Sequence, residues 1–145
     1  MLIALIIISD WYFFTLIKEI VLQEIHINIQ DQTNNFYVKC SEQTAFILRA
    51  YLYETIDGVV TAKALTSDNT ASFCYYVNSF STEFTEIEGT VLDGVAYVDF
   101  NFTTLLTNTT GKYSACVNIM DADDVPEAYA GGSIFFNRNP STGSI

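Results

Sequence analysis

The chain has 145 residues, which suits one domain, and half of them are hydrophobic, so it can bury a sizeable core. The formal net charge is −11, and the six Lys and Arg are scattered as Lys18, Lys39, Arg49, Lys63, Lys112 and Arg138. Phosphate neutralisation needs clustered cations, so this distribution argues against direct nucleic-acid binding and against an anionic membrane surface.

The first segment, residues 1–23, is an apolar arm. Met1 to Ile8 is almost wholly aliphatic, Ser9 and Asp10 interrupt it, and Trp11 to Ile17 resume it. A secretory signal would want a basic start and a small-residue cleavage site, and no Lys or Arg precedes Lys18. A membrane-spanning helix would want about twenty apolar residues. An exposed stretch of this kind aggregates unless something covers it. Three readings stand for it, a strand or helix that docks into a neighbouring subunit, a weak membrane segment, or an arm ordered only in an assembly; the last is favoured, with Leu2, Ile3, Leu5, Ile6, Ile7, Ile8, Trp11, Phe13 and Phe14 as its partner-binding residues.

Residues 24–138 change character. Ile25, Ile27 and Ile29 alternate with His26, Asn28 and Gln30, the period of a half-buried strand. A polar turn follows at Asp31 to Asn35, then a short strand from Phe36 to Cys40. Ala45 to Glu54 is a longer strand with Phe46, Leu48, Ala50 and Leu52 on one face. Ile47, Arg49, Tyr51 and Tyr53 lie on the other. Asp57-Gly58 marks a hairpin, and Val59 to Leu65 pairs back. Ala71 to Val77 is an apolar strand around Cys74, and Ser79 to Glu88 is weakly patterned. Asp93-Gly94 joins Thr90–Leu92 to Val95–Phe102, where Ala96, Val98, Phe100 and Phe102 share a face. Leu105 and Leu106 open a loop. Tyr113, Ala115, Val117 and Ile119 then share a strand face, with Cys116 on the opposite one. Ser133 to Asn137 is the last strand, and residues 139–145 form a polar tail. Seven or eight short strands with regular turn signals predict an antiparallel β-sandwich.

Little chemistry attaches to this frame. His26 stands alone on the polar face of a strand, without a nearby nucleophile motif, so catalysis by it is not expected. Cys40, Cys74 and Cys116 include no Cys-x-x-Cys pair, so they read as buried thiols rather than zinc ligands. A disulfide between one pair of them across a sandwich, with one thiol left over, stays open as the alternative. Asp121, Asp123, Asp124 and Glu127 crowd one loop, but lack the spacing of a Ca²⁺-binding EF-hand and read as a solvated turn. Tyr51, Tyr53, Tyr75 and Tyr97 are expected to be exposed, either as a binding face or as cross-strand pairs. No metal and no cofactor is expected.

Thr110-Gly111-Lys112-Tyr113, entering a strand from a loop, resembles the tyrosine corner of an immunoglobulin-like sandwich, with Gly111 and Tyr113 as the structural corner. In antibody domains the tyrosine precedes a cysteine by two residues, whereas Cys116 stands three after Tyr113. The stretch from Ile25 to Pro140 is similar to immunoglobulin-like domains of phage virion proteins: the N-terminal domain of baseplate upper proteins, head fibres and capsid decoration proteins. The resemblance implies a seven- or eight-stranded immunoglobulin-like sandwich with no catalytic residues. It also implies a structural protein of the virion. Its partners would be other virion proteins, capsid or tail subunits, with a homo-oligomer as a further arrangement and no nucleic acid or small-molecule substrate. Decoration or head-fibre anchoring on the capsid is favoured over a tail baseplate position. The alternative is a secreted or cell-surface adhesion module that binds glycan or protein.

Overall fold

The computed structural model describes residues 21–30, 35–76, 83–102 and 110–138. They form nine strands and no helix: β1 (Val21–Asn28), β2 (Asn35–Ser41), β3 (Phe46–Ile56), β4 (Val59–Ala62), β5 (Thr70–Tyr76), β6 (Phe84–Val91), β7 (Tyr97–Asn101), β8 (Gly111–Met120) and β9 (Pro126–Asn137). The all-β expectation holds. The strands follow one path, β1-β3-β7-β6-β5-β8-β9-β2, with β4 added to β3. That path curls until its two ends, β1 and β2, come near each other, so the sheet is nearly a barrel.

The expected antiparallel sandwich needs correcting in two respects. There are nine strands, and two of the pairings are parallel. β1 runs parallel to β3, with Ile25 opposite Ala50, and β2 runs parallel to β9, with Val38 opposite Ile134. β1 and β2 are consecutive and run in opposite directions, yet no ladder joins them. Each instead seeks a partner in a different half of the sheet. The reason is burial: Ile25 and Ile27 on β1, and Phe36 and Val38 on β2, all point into the core.

β6 turns the corner between the halves. Its residues Phe84 to Glu88 pair with β5, and Gly89 to Val91 pair with β7. Gly89 is the hinge of that switch. A Cβ there would lie 2.5 Å from Val98 Cγ1 and 2.8 Å from Phe100 Cε1, so only glycine lets the strands approach. Ahead of it, the expected weak pattern at Ser79–Glu88 resolves into the start of β6 at Phe84.

The core is aromatic and spans both halves. Phe73 on β5 touches the rings of Phe36, Phe100, Phe102 and Tyr75. Phe46 stacks on Phe102 with centroids 4.2 Å apart, and Tyr75, Tyr113 and Phe136 form a triangle with 5.7 Å sides. Leu65, outside any strand, is buried and pins the β6–β7 loop: its N–H donates to Val95 O and its carbonyl accepts from Gly94 N–H.

Candidate interaction surfaces

The arm residues Leu2, Ile3, Leu5, Ile6, Ile7, Ile8, Trp11, Phe13 and Phe14 lie outside the described residues. Gly111 and Tyr113 open β8. Gly111 has φ of 145°, which suits glycine, and Tyr113 is buried against Tyr75 and Phe136.

Alternation places Glu24, His26, Arg49, Tyr51, Tyr53, Tyr97 and Asp99 on the outer face of β1, β3 and β7. His26 faces Tyr51 across the parallel pair and stacks between Tyr51 and Tyr53, at 5.2 and 5.7 Å. Tyr97 meets Tyr51 edge-on at 5.8 Å. The Arg49 guanidinium lies 4.1 Å from the Tyr97 ring centre. It also donates through Nε and Nη2 to both Asp99 oxygens, at 2.8 and 3.0 Å. Tyr51 donates to Glu24 Oε1 at 3.3 Å. His26 is thus packed in a ladder of rings. Such a ladder of Tyr and Arg is suited to protein contact, where those residues carry most binding energy.

Tyr75 is a correction. It was expected on this exposed set, but it is buried. Ala71, Phe73 and Tyr75 share the inward face of β5, and the tyrosine ring fills space beside Tyr113 and Phe136.

The β3–β4 hairpin is a second surface. Asp57 and Gly58 take φ of 51° and 79°, the mirror-image turn that Asp-Gly favours. It carries Ile56, Val59 and Val60, exposed by 50, 63 and 66%, clear of the core. Sequence reading found the turn but missed this apolar tip, because Val59 and Val60 look like an ordinary strand.

A third feature went unseen in the sequence. Where β1 begins and β2 ends, a cleft of about 330 Å³ opens between the two strands. Cys40 and Phe46 lie towards its buried side, and Val21, Gln23, Lys39 and Ser41 line its mouth. Burial pushes the Cys40 thiol up to about 12 from an ordinary 9.0, so the group is a neutral, unreactive part of that wall. Only the fold could show the cleft, since it joins the two ends of the sheet path.

The acidic loop is a turn. The Asp121 carboxylate accepts the backbone N–H of Asp123 and of Val125, at 2.8 and 3.0 Å, and Glu127 accepts from Asn69 Nδ2 at 2.8 Å. No group of three His, Cys, Asp or Glu able to hold a metal occurs among the described residues. Cys74 and Cys116 are directly opposite each other on β5 and β8, and all three cysteines are free thiols.

No family model matches the chain, and no curated protein matches its sequence. Among solved structures it is similar to the N-terminal domain of phage TP901-1 ORF48, with a TM-score of 0.54 and 10% sequence identity. The match covers 81% of this chain and 98% of that one, so the two share a fold over nearly the whole of that domain.

Proposed function

We infer that the chain is a non-enzymatic structural subunit of a bacteriophage virion that seats on other virion proteins, capsid or tail, through apolar burial. The observation that supports this most is the fold shared with the N-terminal domain of phage TP901-1 ORF48, matched over 98% of that domain. The immunoglobulin-like relationship belongs to the same reading: two half-sheets close over one core, and Gly111-Lys112-Tyr113 opens β8. The surfaces fit the role. The sequence before β1 is largely apolar, and the β3–β4 hairpin holds three β-branched side chains in solvent. Both suit burial against a neighbouring subunit, and β4 adds a sheet edge for strand addition. The chain's net charge of −11 keeps assembled particles apart.

The test is sedimentation of native material on a density gradient, with the chain followed by mass spectrometry. Banding with intact virions supports the reading. Recovery as free protein or with a cell envelope overturns it and favours the adhesion module.

A further inference from the structure

We propose that Cys74 and Cys116 form a dithiol pair that closes into one disulfide between β5 and β8 when the chain meets a two-electron oxidant. The pairing follows from the register of the sheet and is independent of any virion role.

Register brings the two thiols together. β5 runs antiparallel to β8, with Cys74 directly opposite Cys116. Directly opposite residues of an antiparallel ladder have Cα atoms about 4.5 or 5.5 Å apart, and both spacings lie within the range of about 4.4–6.8 Å that a disulfide bridges. Opposite side chains also leave on the same face, and these two thiols hydrogen-bond each other. Phe73 and Tyr75 on β5, and Ala115 and Val117 on β8, belong to the core, so the two cysteines lie on the outer face of the sheet. Cys40 has no such partner: it belongs to the core, and the residue opposite it on β9 is Phe136.

The surroundings assign different roles to the two sulfurs. Burial holds both thiols above the ordinary 9.0, so the reduced pair is slow to ionise. Against that, Asn118 Nδ2 donates to Cys116 Sγ at 3.6 Å, and the Cys74 thiol lends Cys116 a further hydrogen bond. Glu86 stands directly opposite Cys74 on β6, where its carboxylate opposes a second negative charge. Cys116 is therefore the sulfur that ionises first, and Cys74 keeps its proton.

With hydrogen peroxide as the oxidant the chemistry balances. The Cys116 thiolate attacks one peroxide oxygen, the O–O bond breaks, and a sulfenic acid forms; the hydroxide that leaves takes up the proton Cys116 released. The Cys74 sulfur then attacks the Cys116 sulfur and loses its proton, the S–O bond breaks, and a second water leaves. Two thiols and one peroxide give one disulfide and two waters, with two electrons passing from sulfur to oxygen. β6 and β7 both lie in the chain between the two cysteines, so the bond ties off the segment that turns the corner at Gly89. The pair stays open in a reducing compartment and closes in an oxidising one.

The experiment uses full-length protein, reduced, freed of reductant and exposed to hydrogen peroxide without denaturant. Remaining thiols are alkylated and the chain is cut with trypsin. Cuts after Lys39, Arg49, Lys63, Lys112 and Arg138 leave each cysteine on its own peptide. Mass spectrometry is expected to find the Cys74 and Cys116 peptides linked and lighter by two hydrogens, with Cys40 alkylated. The urea midpoint of the oxidised protein is expected to rise, because the bond restricts the unfolded chain, and to fall back when reductant is added. In Cys74→Ser the sulfenic acid has no partner, so dimedone is expected to label Cys116. In Cys116→Ser, Cys74 is expected to be labelled at least about tenfold more slowly. Unlinked Cys74 and Cys116 after peroxide, a link that includes Cys40, or a link that forms only in urea overturns the proposal. An unchanged urea midpoint after linkage overturns the tie across the corner, and equal labelling of the two variants overturns the assigned roles. Should a variant not fold, the wild-type peptide map and urea midpoint decide on their own.

Discussion

At the scale of single residues, two glycines control how closely strands approach. Gly132 on β9 faces Phe36 on β2, and a Cβ there would collide with the Phe36 carbonyl oxygen and come within 2.5 Å of its Cγ. The obstacle is backbone, so it cannot turn aside. Gly132→Ala should therefore cost about 1–3 kcal/mol, the usual penalty of overpacking, read as a lower urea midpoint with unchanged slope. Gly89→Ala meets side chains instead, Val98 and Phe100, both fully buried. Its cost should fall in the same range, because those rings and methyls have nowhere to go. Equal stability of either variant and wild type would show that the strands can slide apart freely. By contrast, the Arg49–Asp99 pair is well formed but a quarter exposed on each side. Asp99→Asn should change stability by no more than about 1 kcal/mol. A larger loss would mean that the ring ladder of Tyr97 and Tyr51 depends on a fixed guanidinium.

At the scale of strands, alternation was the legible signal. Phe46 to Leu52, Val98 to Phe102 and Tyr113 to Ile119 face inward as their spacing indicates, and the Asp57-Gly58 turn sits where the dipeptide predicts. Strand limits were less legible where composition conceals the period. β9 starts at Pro126, seven residues before the expected Ser133, because Gly131 and Gly132 interrupt the apolar pattern while Ala128 and Ala130 bury small side chains. β1 starts at Val21 rather than Ile25, since Val21 and Leu22 are both exposed and break the alternation. The parallel pairings left no local trace, as each joins segments with another strand between them or most of the chain between them. The hairpin tip offers a test at this scale. Val59→Lys with Val60→Lys removes exposed apolar surface and no core contact, so stability should stay within about 0.5 kcal/mol of wild type. If the chain has the proposed virion role, its binding should fall in a pull-down of purified virions. A large loss of stability would mean that the tip packs against residues beyond the described ones.

At the scale of the whole molecule, one aromatic core holds two half-sheets that join through β6 and nearly close at β1 and β2. The closing strand β2 carries Cys40, whose Sγ donates to Phe135 O at 3.8 Å and whose side chain faces the core. This makes alkaline stability a readout of that closure. Desolvation pushes the Cys40 thiol up to about 12 and the Cys74 thiol to about 11, both from 9.0. In the unfolded chain each thiol returns to its ordinary value. Below pH 9 both states keep the proton, so the contribution is fully present. As pH rises from 9 towards 12 the unfolded chain releases protons that the fold retains, and stability falls. The limiting slope is about 1.4 kcal/mol per pH unit for each thiol. Chemical unfolding at pH 8, 9, 10 and 10.5 should show that decline, and Cys40→Ala should flatten it while lowering stability at pH 8 through the lost packing. The comparison of slopes between wild type and Cys40→Ala carries the result. Parallel slopes for wild type and Cys40→Ala would mean that water reaches the thiol through the β1–β2 cleft, and that the sheet is open there in solution.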